Sequence, residues 1–196
     1  MNWTKDEAQA SNETIRLNPL VDSDADEFLQ LYQANRVFLG PWVPTVDDEF
    51  FTLAGQTSNL LRMMALREAD QAYGYGIRLV ENNQLVGRIT LSNVVRGAWE
   101  SATLGYWVSQ TSNRRGIATS AVALVLDLAF DVLELHRVQA AVMPYNAGSL
   151  RVIEKTGFLY EGYAPYYLRI AGRWQDHNIY SMTREMRQGP HDNSAR

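Results

Sequence analysis

The chain has 196 residues, 46% of them hydrophobic, which is enough to bury one well-packed domain and too few residues for two ordinary ones. A formal net charge of −4 excludes a protein that binds nucleic acid through a basic surface, while a small basic peptide partner stays compatible. The absence of cysteine excludes disulfides and a thiolate nucleophile, and favours the reducing cytoplasm. No apolar run is long enough to cross a membrane, and the three histidines lack ligand spacing, so we expect neither a membrane nor a metal partner.

The two ends of the chain differ in composition from the rest. Residues 1–13 are polar and charged and predict a loose N-terminal arm, and residues 187–196 predict a frayed tail. We therefore expect a single domain over residues 14–186.

The first third of that domain predicts a strand and two helices. Thr14–Leu17 reads as a strand, Ser23 opens an amphipathic helix, and Thr45 caps a second helix that Gly55 interrupts. The segment Phe38–Pro44 contains two prolines and is expected to be an irregular linker. Its aromatic residues Phe38 and Trp42 either plug the core or line a substrate entrance.

The middle and the end of the chain predict a meander of strands and two further helices. A hairpin runs over residues 73–93 with Asn82-Asn83 as its turn, and Glu100 to Val108 forms the next strand. A helix follows over residues 118–132, then a strand over 137–143, a short helix over 149–156 ended by Gly157, and a hairpin turning at Ala171-Gly172.

A short basic loop joins the strand ending at Val108 to the long helix. Arg114 and Arg115 precede Gly116, which opens the helix, so two guanidinium groups and the helix N-terminal N–H groups converge on one point. This arrangement predicts a site for a pyrophosphate. The alternative is a solvated loop, and Thr119 either adds a hydroxyl to the phosphate or bonds its own backbone.

This loop resembles the pyrophosphate motif Gln/Arg-x-x-Gly-x-Gly/Ala of the GCN5-related N-acetyltransferase (GNAT) superfamily, with Asn113 in the first position. Five further blocks in the same order are similar to the branch that acetylates the N-terminal alanine or serine of ribosomal proteins: Leu104-Gly105-Tyr106-Trp107-Val108, His136-Arg137-Val138, Asn146-x-x-Ser149, Gly157-Phe158-x-x-Glu161-Gly162 and Gly172-x-Trp174-x-Asp176-His177. The resemblance covers about residues 14–186.

The resemblance implies a mixed α/β (α+β) GNAT fold: about seven mostly antiparallel strands, splayed at the centre of the sheet and flanked by about four helices. It also implies acetyl-CoA as co-substrate, with its pantetheine arm along the strand that ends at Val108. The implied contacts are Tyr106, Trp107, Val108, Arg114, Arg115, Gly116, Ile117, Ala118, Thr119, Asn146 and Ser149.

Three catalytic candidates follow from the resemblance. The Val108 N–H is the implied oxyanion donor, and Ser149 is the implied partner of the departing thiolate, although Asn146 and Ser149 also suit a helix cap. The position at which many members carry an acidic tyrosine is Ile153 here, which excludes that residue as the acid. Glu100 is the candidate base, against the alternative of a solvated strand-edge carboxylate.

Asp176 and His177 are adjacent, but neighbours on a strand point to opposite faces, so they cannot orient each other as a catalytic dyad. We expect Asp176 either to contact the incoming amine or to be a structural acceptor. A weak base can suffice for an α-amine, since roughly 10–20% of it is neutral at pH 7.

The sequence therefore predicts an acetyl-CoA-dependent N-acetyltransferase that transfers directly to an amine, most specifically to the N-terminal α-amine of a ribosomal protein or peptide. The alternatives are a small-molecule acceptor, such as an antibiotic or aminoacyl conjugate, and a non-catalytic acyl-CoA-binding module. We expect a monomer or a homodimer.

Overall fold

An eight-stranded mixed sheet organises the computed structural model, which describes residues 9–189. The strand order is β1-β2-β3-β4-β5-β6-β8-β7. The strands are β1 (Ala10–Ser11), β2 (Ile15–Pro19), β3 (Tyr73–Leu79), β4 (Leu85–Val95), β5 (Ser101–Val108), β6 (Arg137–Val142), β7 (Leu159–Ile170) and β8 (Arg173–Thr183). The predicted mixed sheet is confirmed, and the strand beyond the expected seven or so is the two-residue β1.

The central pair of strands separates partway along its length. All neighbouring strands are antiparallel except β5 and β6, which run parallel from Ser101↔Arg137 to Leu104↔Ala140. Beyond that register β5 continues to Val108 and β6 to Val142 without pairing to each other. The predicted splay is therefore a gap between the carboxyl ends of β5 and β6.

The described residues form five α-helices, which are α1 (Ala25–Leu39), α2 (Leu53–Glu68), α3 (Ile117–Asp127), α4 (Ala147–Lys155) and α5 (Arg184–Gln188). The apolar face of α3 packs in the main core, with Ala121, Val122 and Val125 fully buried. Phe28 of α1 and Leu60 of α2 lie in a separate cluster. The helices α1 and α2 thus cover the face of the sheet opposite to that covered by α3.

Two glycines of β3 allow α1 and α2 to lie close to the sheet. A Cβ on Gly74 would lie 3.1 Å from Met63 Cε of α2, and one on Gly76 would lie 3.7 Å from Phe28 Cζ of α1. The alternate residues of the same strand, Tyr73 and Tyr75 among them, point into the main core. Gly74 and Gly76 therefore serve helix packing.

Four predicted features of the first third are wrong, and three of them are helix boundaries. The helix α1 extends to Leu39 and includes Phe38, because the first proline of the linker comes only two residues after Leu39. Ser23 lies inside a 3-10 turn over Asp22–Asp24 and does not cap α1. The helix α2 begins after Thr52, whose side chain accepts a hydrogen bond from Gly55 N at 3.1 Å, so Thr45 is not its cap.

Gly55 stands in the first turn of α2 and does not interrupt the helix. A Cβ at this position would overlap the carbonyl oxygen of Glu49, in the 3-10 turn Asp48–Phe51. The glycine is thus required by the close approach of that turn to the helix.

The turn residues predicted for the two hairpins are confirmed. Asn83 has a φ of 59°, and Ala171 and Gly172 have φ values of 47° and 77°. Gly157, with a φ of 80°, follows the end of α4 as predicted.

The predicted N-terminal arm and C-terminal tail fall mostly outside the described residues. Residues 1–8 and 190–196 are not described. Within the described part, Ala10–Ser11 pair with β2 and residues 187 and 188 end the helix α5, so regular structure extends into both predicted ends.

Candidate active site

A cleft of about 850 Å³ lies beside the gap between β5 and β6. Its lining comes from the α1 and α2 helices, the linker between them, and strands on both sides of the gap. Of the residues predicted from the sequence, it includes Trp42, Tyr106, Trp107, Asn146 and Ser149. The strand separation therefore brings the implied thioester contacts and part of the predicted acceptor surface to one place.

The backbone of Val108 is directed toward the gap. Ser109 N donates to Val86 O at 2.7 Å, so the neighbouring pair Gly87↔Val108 is of the non-hydrogen-bonded type. The Val108 N–H consequently points away from β4, to the side where β6 has already separated. A backbone donor so directed suits both an extended amide arm and a developing oxyanion.

The basic loop and the start of α3 have the geometry of an anion site. Arg114 and Gly116 both have positive φ, 62° and 77°, and Gly116 is the N-cap of the helix without any side-chain cap hydrogen bond. The first N–H groups of a helix have no partner within it, so those of Ile117, Ala118 and Thr119 are directed outward. Ile117 itself is buried and anchors the turn.

The two arginines of this loop are exposed. Arg115 Nη2 lies 3.8 Å from Glu81 Oε1, and both side chains are more than half exposed. A solvent-screened contact of this length contributes little, which leaves the guanidinium free to turn toward an anion.

Tyr106 and Ser149 form a hydroxyl pair in the cleft. Tyr106 OH lies 2.8 Å from Ser149 Oγ, and Asn146 Oδ1 accepts a hydrogen bond from Ser149 N at 3.1 Å as the N-cap of α4. Burial raises the pKa of the Tyr106 phenol to about 12, although its hydrogen bond with Ser149 acts in the opposite direction. The phenol is therefore protonated at neutral pH.

The pairing of Tyr106 with Ser149 joins a strand to a helix 43 residues later in the chain, and sequence spacing gives no signal for it. Tyr106 was predicted only as a cofactor contact. Ile153, which occupies the position at which many superfamily members carry a tyrosine acid, is fully buried in the core. A different tyrosine thus supplies a phenol near Ser149.

The predicted substrate residues separate in the structure. Trp42 lines the cleft and packs against Tyr145 with ring centroids 5.9 Å apart, whereas Phe38 is half-buried on α1 and is not part of the lining. Tyr32, which the sequence analysis did not single out, lines the cleft and packs against Trp107 at 4.8 Å.

Glu100 lies away from the cleft. It is exposed, with a φ of 41°, immediately before β5 and thus at the opposite end of that strand from Val108. Its carbonyl oxygen accepts hydrogen bonds from His136 N and Arg137 N. Its carboxylate is not among the groups brought together at the gap.

Asp176 is half-buried and accepts hydrogen bonds from the Tyr163 hydroxyl and from Tyr166 N. The Tyr163 hydrogen bond, followed by that of the Tyr166 N–H, lowers the pKa of the Asp176 carboxyl. The adjacent His177 is 3% exposed and lines the cleft, so the predicted opposite orientation of the two side chains is confirmed. In this geometry Asp176 orders the β7–β8 hairpin.

The cleft also contains three arginines that the sequence analysis did not single out: Arg36, Arg62 and Arg88. Arg36 is paired with Asp48 at 2.7 Å. Arg62 and Arg88 have only neutral contacts within residues 9–189, to Asn59 Oδ1 at 3.5 Å and to Thr90 Oγ1 at 3.4 Å. No carboxylate of the described chain lines the cleft.

Comparison with known proteins agrees with this geometry. Residues 14–159 match the family model described as "Acetyltransferase (GNAT) domain". The chain is 40% identical to the probable N-acetyltransferase YjcK of Bacillus subtilis (strain 168), over 85% of this chain and 92% of that protein. It is 31% identical to the ribosomal protein uS5-alanine N-acetyltransferase of Escherichia coli (strain K12), over 83% of this chain and 84% of that one.

Among solved structures, Mycobacterium smegmatis RimJ in complex with CoA-disulfide superposes with a TM-score of 0.87 at 30% identity, covering 91% of this chain and 88% of that chain. The family model, the sequence relatives and this structural likeness agree with the fold predicted from the sequence. The chain belongs to the GNAT acetyltransferase family and is an N-acetyltransferase.

Proposed function

We propose that this enzyme transfers the acetyl group of acetyl-CoA directly to the N-terminal α-amine of a protein or peptide, with ribosomal proteins as the acceptor class. The observation that carries the binding of acetyl-CoA is the unpaired end of β5, where the Val108 N–H faces the gap. The proposed catalytic unit is residues 14–186, acting in the cytoplasm.

The proposed binding of acetyl-CoA has support at both ends of the CoA molecule. The uncapped start of α3, with Arg114 and Arg115 before it, suits the pyrophosphate. The gap admits an extended pantetheine arm, which can bond to exposed strand backbone as a further strand would. The RimJ structure similar to this chain was solved with CoA-disulfide.

The proposed peptide acceptor has support in the shape of the cleft. It is open, its volume is about 850 Å³, and Trp42 and Tyr32 stand on its wall, so a flexible chain terminus can reach the gap. The Escherichia coli relative to which the chain is 31% identical is named as an N-acetyltransferase for an alanine of ribosomal protein uS5.

The chemistry follows from the groups near the gap. The Val108 N–H stabilises the tetrahedral oxyanion, and the Tyr106–Ser149 pair supplies a proton to the departing thiolate. The sequence contains no cysteine, so no acyl-cysteine intermediate forms and the amine attacks the thioester itself.

The test is an acceptor screen by intact mass. Peptides that begin with alanine or serine are incubated with the full-length protein and acetyl-CoA, beside the same peptides with a blocked N-terminus and a panel of small amines. A gain of one acetyl group only on the free N-terminus supports the proposal. Acetylation of small amines alone overturns the proposed acceptor, and no CoA release with any amine overturns the proposed catalysis.

A further inference from the structure

The amine of the acceptor is protonated for most of the time at neutral pH, so the reaction needs a group that removes a proton. Within residues 9–189 the cleft is lined by arginines, hydroxyls, amides and apolar side chains, and by no carboxylate. Guanidinium groups stay protonated, and neutral hydroxyls and amides are very weak bases. The remaining lining side chain with a basic lone pair is the imidazole of His177.

The hydrogen bonding of His177 determines which ring nitrogen carries that lone pair. Nδ1 lies 2.9 Å from the carbonyl oxygen of Gln175. A carbonyl oxygen only accepts hydrogen bonds, so Nδ1 holds the hydrogen and, in the neutral ring, Nε2 is the acceptor. No residue of the described chain donates to Nε2. The backbone thus fixes the tautomer in which Nε2 is available to a substrate.

The strand register places His177 next to the gap. Val142 of β6 pairs with Asn178, so His177 lies level with the carboxyl end of β6, just before the segment that carries Asn146 and Ser149. Where β5, β6 and β8 are all paired, β5 and β8 lie about 10 Å apart on either side of β6. Level with His177, β5 has already separated from β6, so the distance across the gap is larger. An amine can occupy the space between the imidazole and a thioester held along β5.

Packing holds the imidazole in this position. The ring of Tyr167 lies 5.6 Å from that of His177, and the Tyr167 hydroxyl accepts a hydrogen bond from Gln139 Nε2 at 3.1 Å. Gln139 belongs to β6, so the aromatic neighbour is itself fixed to the central strand.

We propose that His177 is the general base that deprotonates the acceptor amine, an assignment that rests on the proposed acetyl transfer. An N–H bond of the ammonium group breaks and its proton moves to Nε2, which leaves a neutral amine. The amine forms the C–N bond, the thioester C–S bond breaks, and the Tyr106–Ser149 pair gives a proton to the sulfur. The nitrogen then loses a second proton, which reprotonates the Tyr106–Ser149 pair. The imidazolium of His177 releases its proton to water, so one proton is released per acetyl group transferred.

The experiment compares His177→Ala and His177→Gln with the wild type on two acceptors, using the full-length protein. One acceptor is the best α-amine substrate of the wild type, and the other is its hydrazide or aminooxy analogue, which is already neutral at pH 7. We expect kcat on the α-amine to fall about 100-fold, as for loss of a general base. We expect a smaller loss on the neutral analogue, and partial recovery of the His177→Ala variant with added imidazole.

The matched control is His136→Ala, since His136 is exposed, lies outside the cleft, and pairs with Glu185 at 3.0 Å. Folding of each variant is checked by circular dichroism, and CoA binding by calorimetry. Equal losses on the α-amine and its neutral analogue, or kcat within threefold of the wild type in a folded His177→Gln, overturn the assignment. Inactivity of the wild type on every peptide counts instead against the proposed acceptor, and the comparison is then made on whichever amine it accepts.

Discussion

At the scale of single residues, two hydroxyl groups from distant parts of the chain meet in the cleft. The phenol of Tyr106 is buried and its pKa is raised to about 12, so it holds its proton through the physiological range. Ser149 lies 2.8 Å away and its backbone is fixed by the Asn146 cap. The cap made by Asn146 uses the Ser149 N–H, so the Ser149 hydroxyl stays available for the proposed protonation of the thiolate.

Removal of the Tyr106 hydroxyl is expected to slow catalysis. For Tyr106→Phe we expect kcat to fall by at least about 10-fold, because the thiolate loses its proton donor. Since the folded-state pKa of Tyr106 is raised, its ionisation causes no loss of wild-type activity over pH 6–9. Steady-state kinetics at pH 6–9 check this, and an unchanged kcat in the variant contradicts the role.

At the scale of elements, the start of α3 depends on one glycine. Gly116 has a φ of 77°, and a Cβ there would meet no atom within 4 Å. Its requirement is thus conformational and not steric, because the left-handed region costs other residues roughly 1–2 kcal/mol.

For Gly116→Ala we expect a loss of roughly 1 kcal/mol in the free energy of unfolding and an increase in the KM for acetyl-CoA, since the N–H groups of the first turn move. Gly97 is a matched control, with a φ of 75°, no atom within 4 Å of its Cβ, and a position in the β4–β5 loop. Gly97→Ala should lose similar stability with an unchanged KM. Denaturant titration and initial rates measure the two quantities.

A charged contact ties the second half of the sheet together. Arg137 of β6 forms a two-point ion pair with Glu161 of β7, across β8, and Ser181 of β8 donates to the same carboxylate at 2.7 Å. The hydrogen bond from Arg137, followed by that from Ser181, lowers the pKa of Glu161. A lowered carboxyl pKa contributes stability above the unfolded-state pKa of about 4.3, and this is lost as the pH falls through the folded value.

We therefore expect Glu161→Gln to lower the free energy of unfolding by about 1 kcal/mol at pH 7, a figure reduced for the partial exposure of the pair. The difference from the wild type should begin to shrink as the pH falls below about 4.3, since the unfolded chain then takes up a proton at this carboxyl, and it should vanish once the folded carboxyl is protonated as well. Urea titrations at pH 7 and pH 3.5 test this. A difference that does not depend on pH would mean that packing, and not charge, is responsible.

At the scale of the whole molecule, the charge of the cleft is opposite to that of the chain. The net charge is −4, whereas Arg62 and Arg88 line the cleft without a carboxylate partner in the described residues. The net charge of the chain alone is compatible with a basic peptide as the acceptor. The local field instead favours an acceptor that carries a carboxylate near its reacting amine.

We expect an alanine-initiated peptide with glutamate at its third or fourth position to react with a kcat/KM about two- to fivefold above that of its glutamine counterpart, the range of an exposed ion pair. Arg62→Gln or Arg88→Gln should remove much of this preference, and added salt should reduce it. Arg169→Gln, on β7 outside the cleft lining, is the control. Equal rates for the two peptides with the wild type contradict the idea.

Local sequence determined the elements, the hairpin turns, the glycine that opens α3 and the family, because those depend on periodicity, turn chemistry and residues adjacent in the chain. It did not determine the helix starts at Ala25 and Leu53, because a short 3-10 turn precedes each helix and the predicted residues Ser23 and Thr45 do not cap them. Only the tertiary structure decided which groups meet at the gap. The separation of β5 from β6 leaves the Val108 N–H without a partner strand, and Glu100 lies at the far end of β5. Tyr106 meets Ser149 in the cleft, and His177 faces into it. These are contacts between residues far apart in sequence, and strand pairing, which acts over long range, sets them.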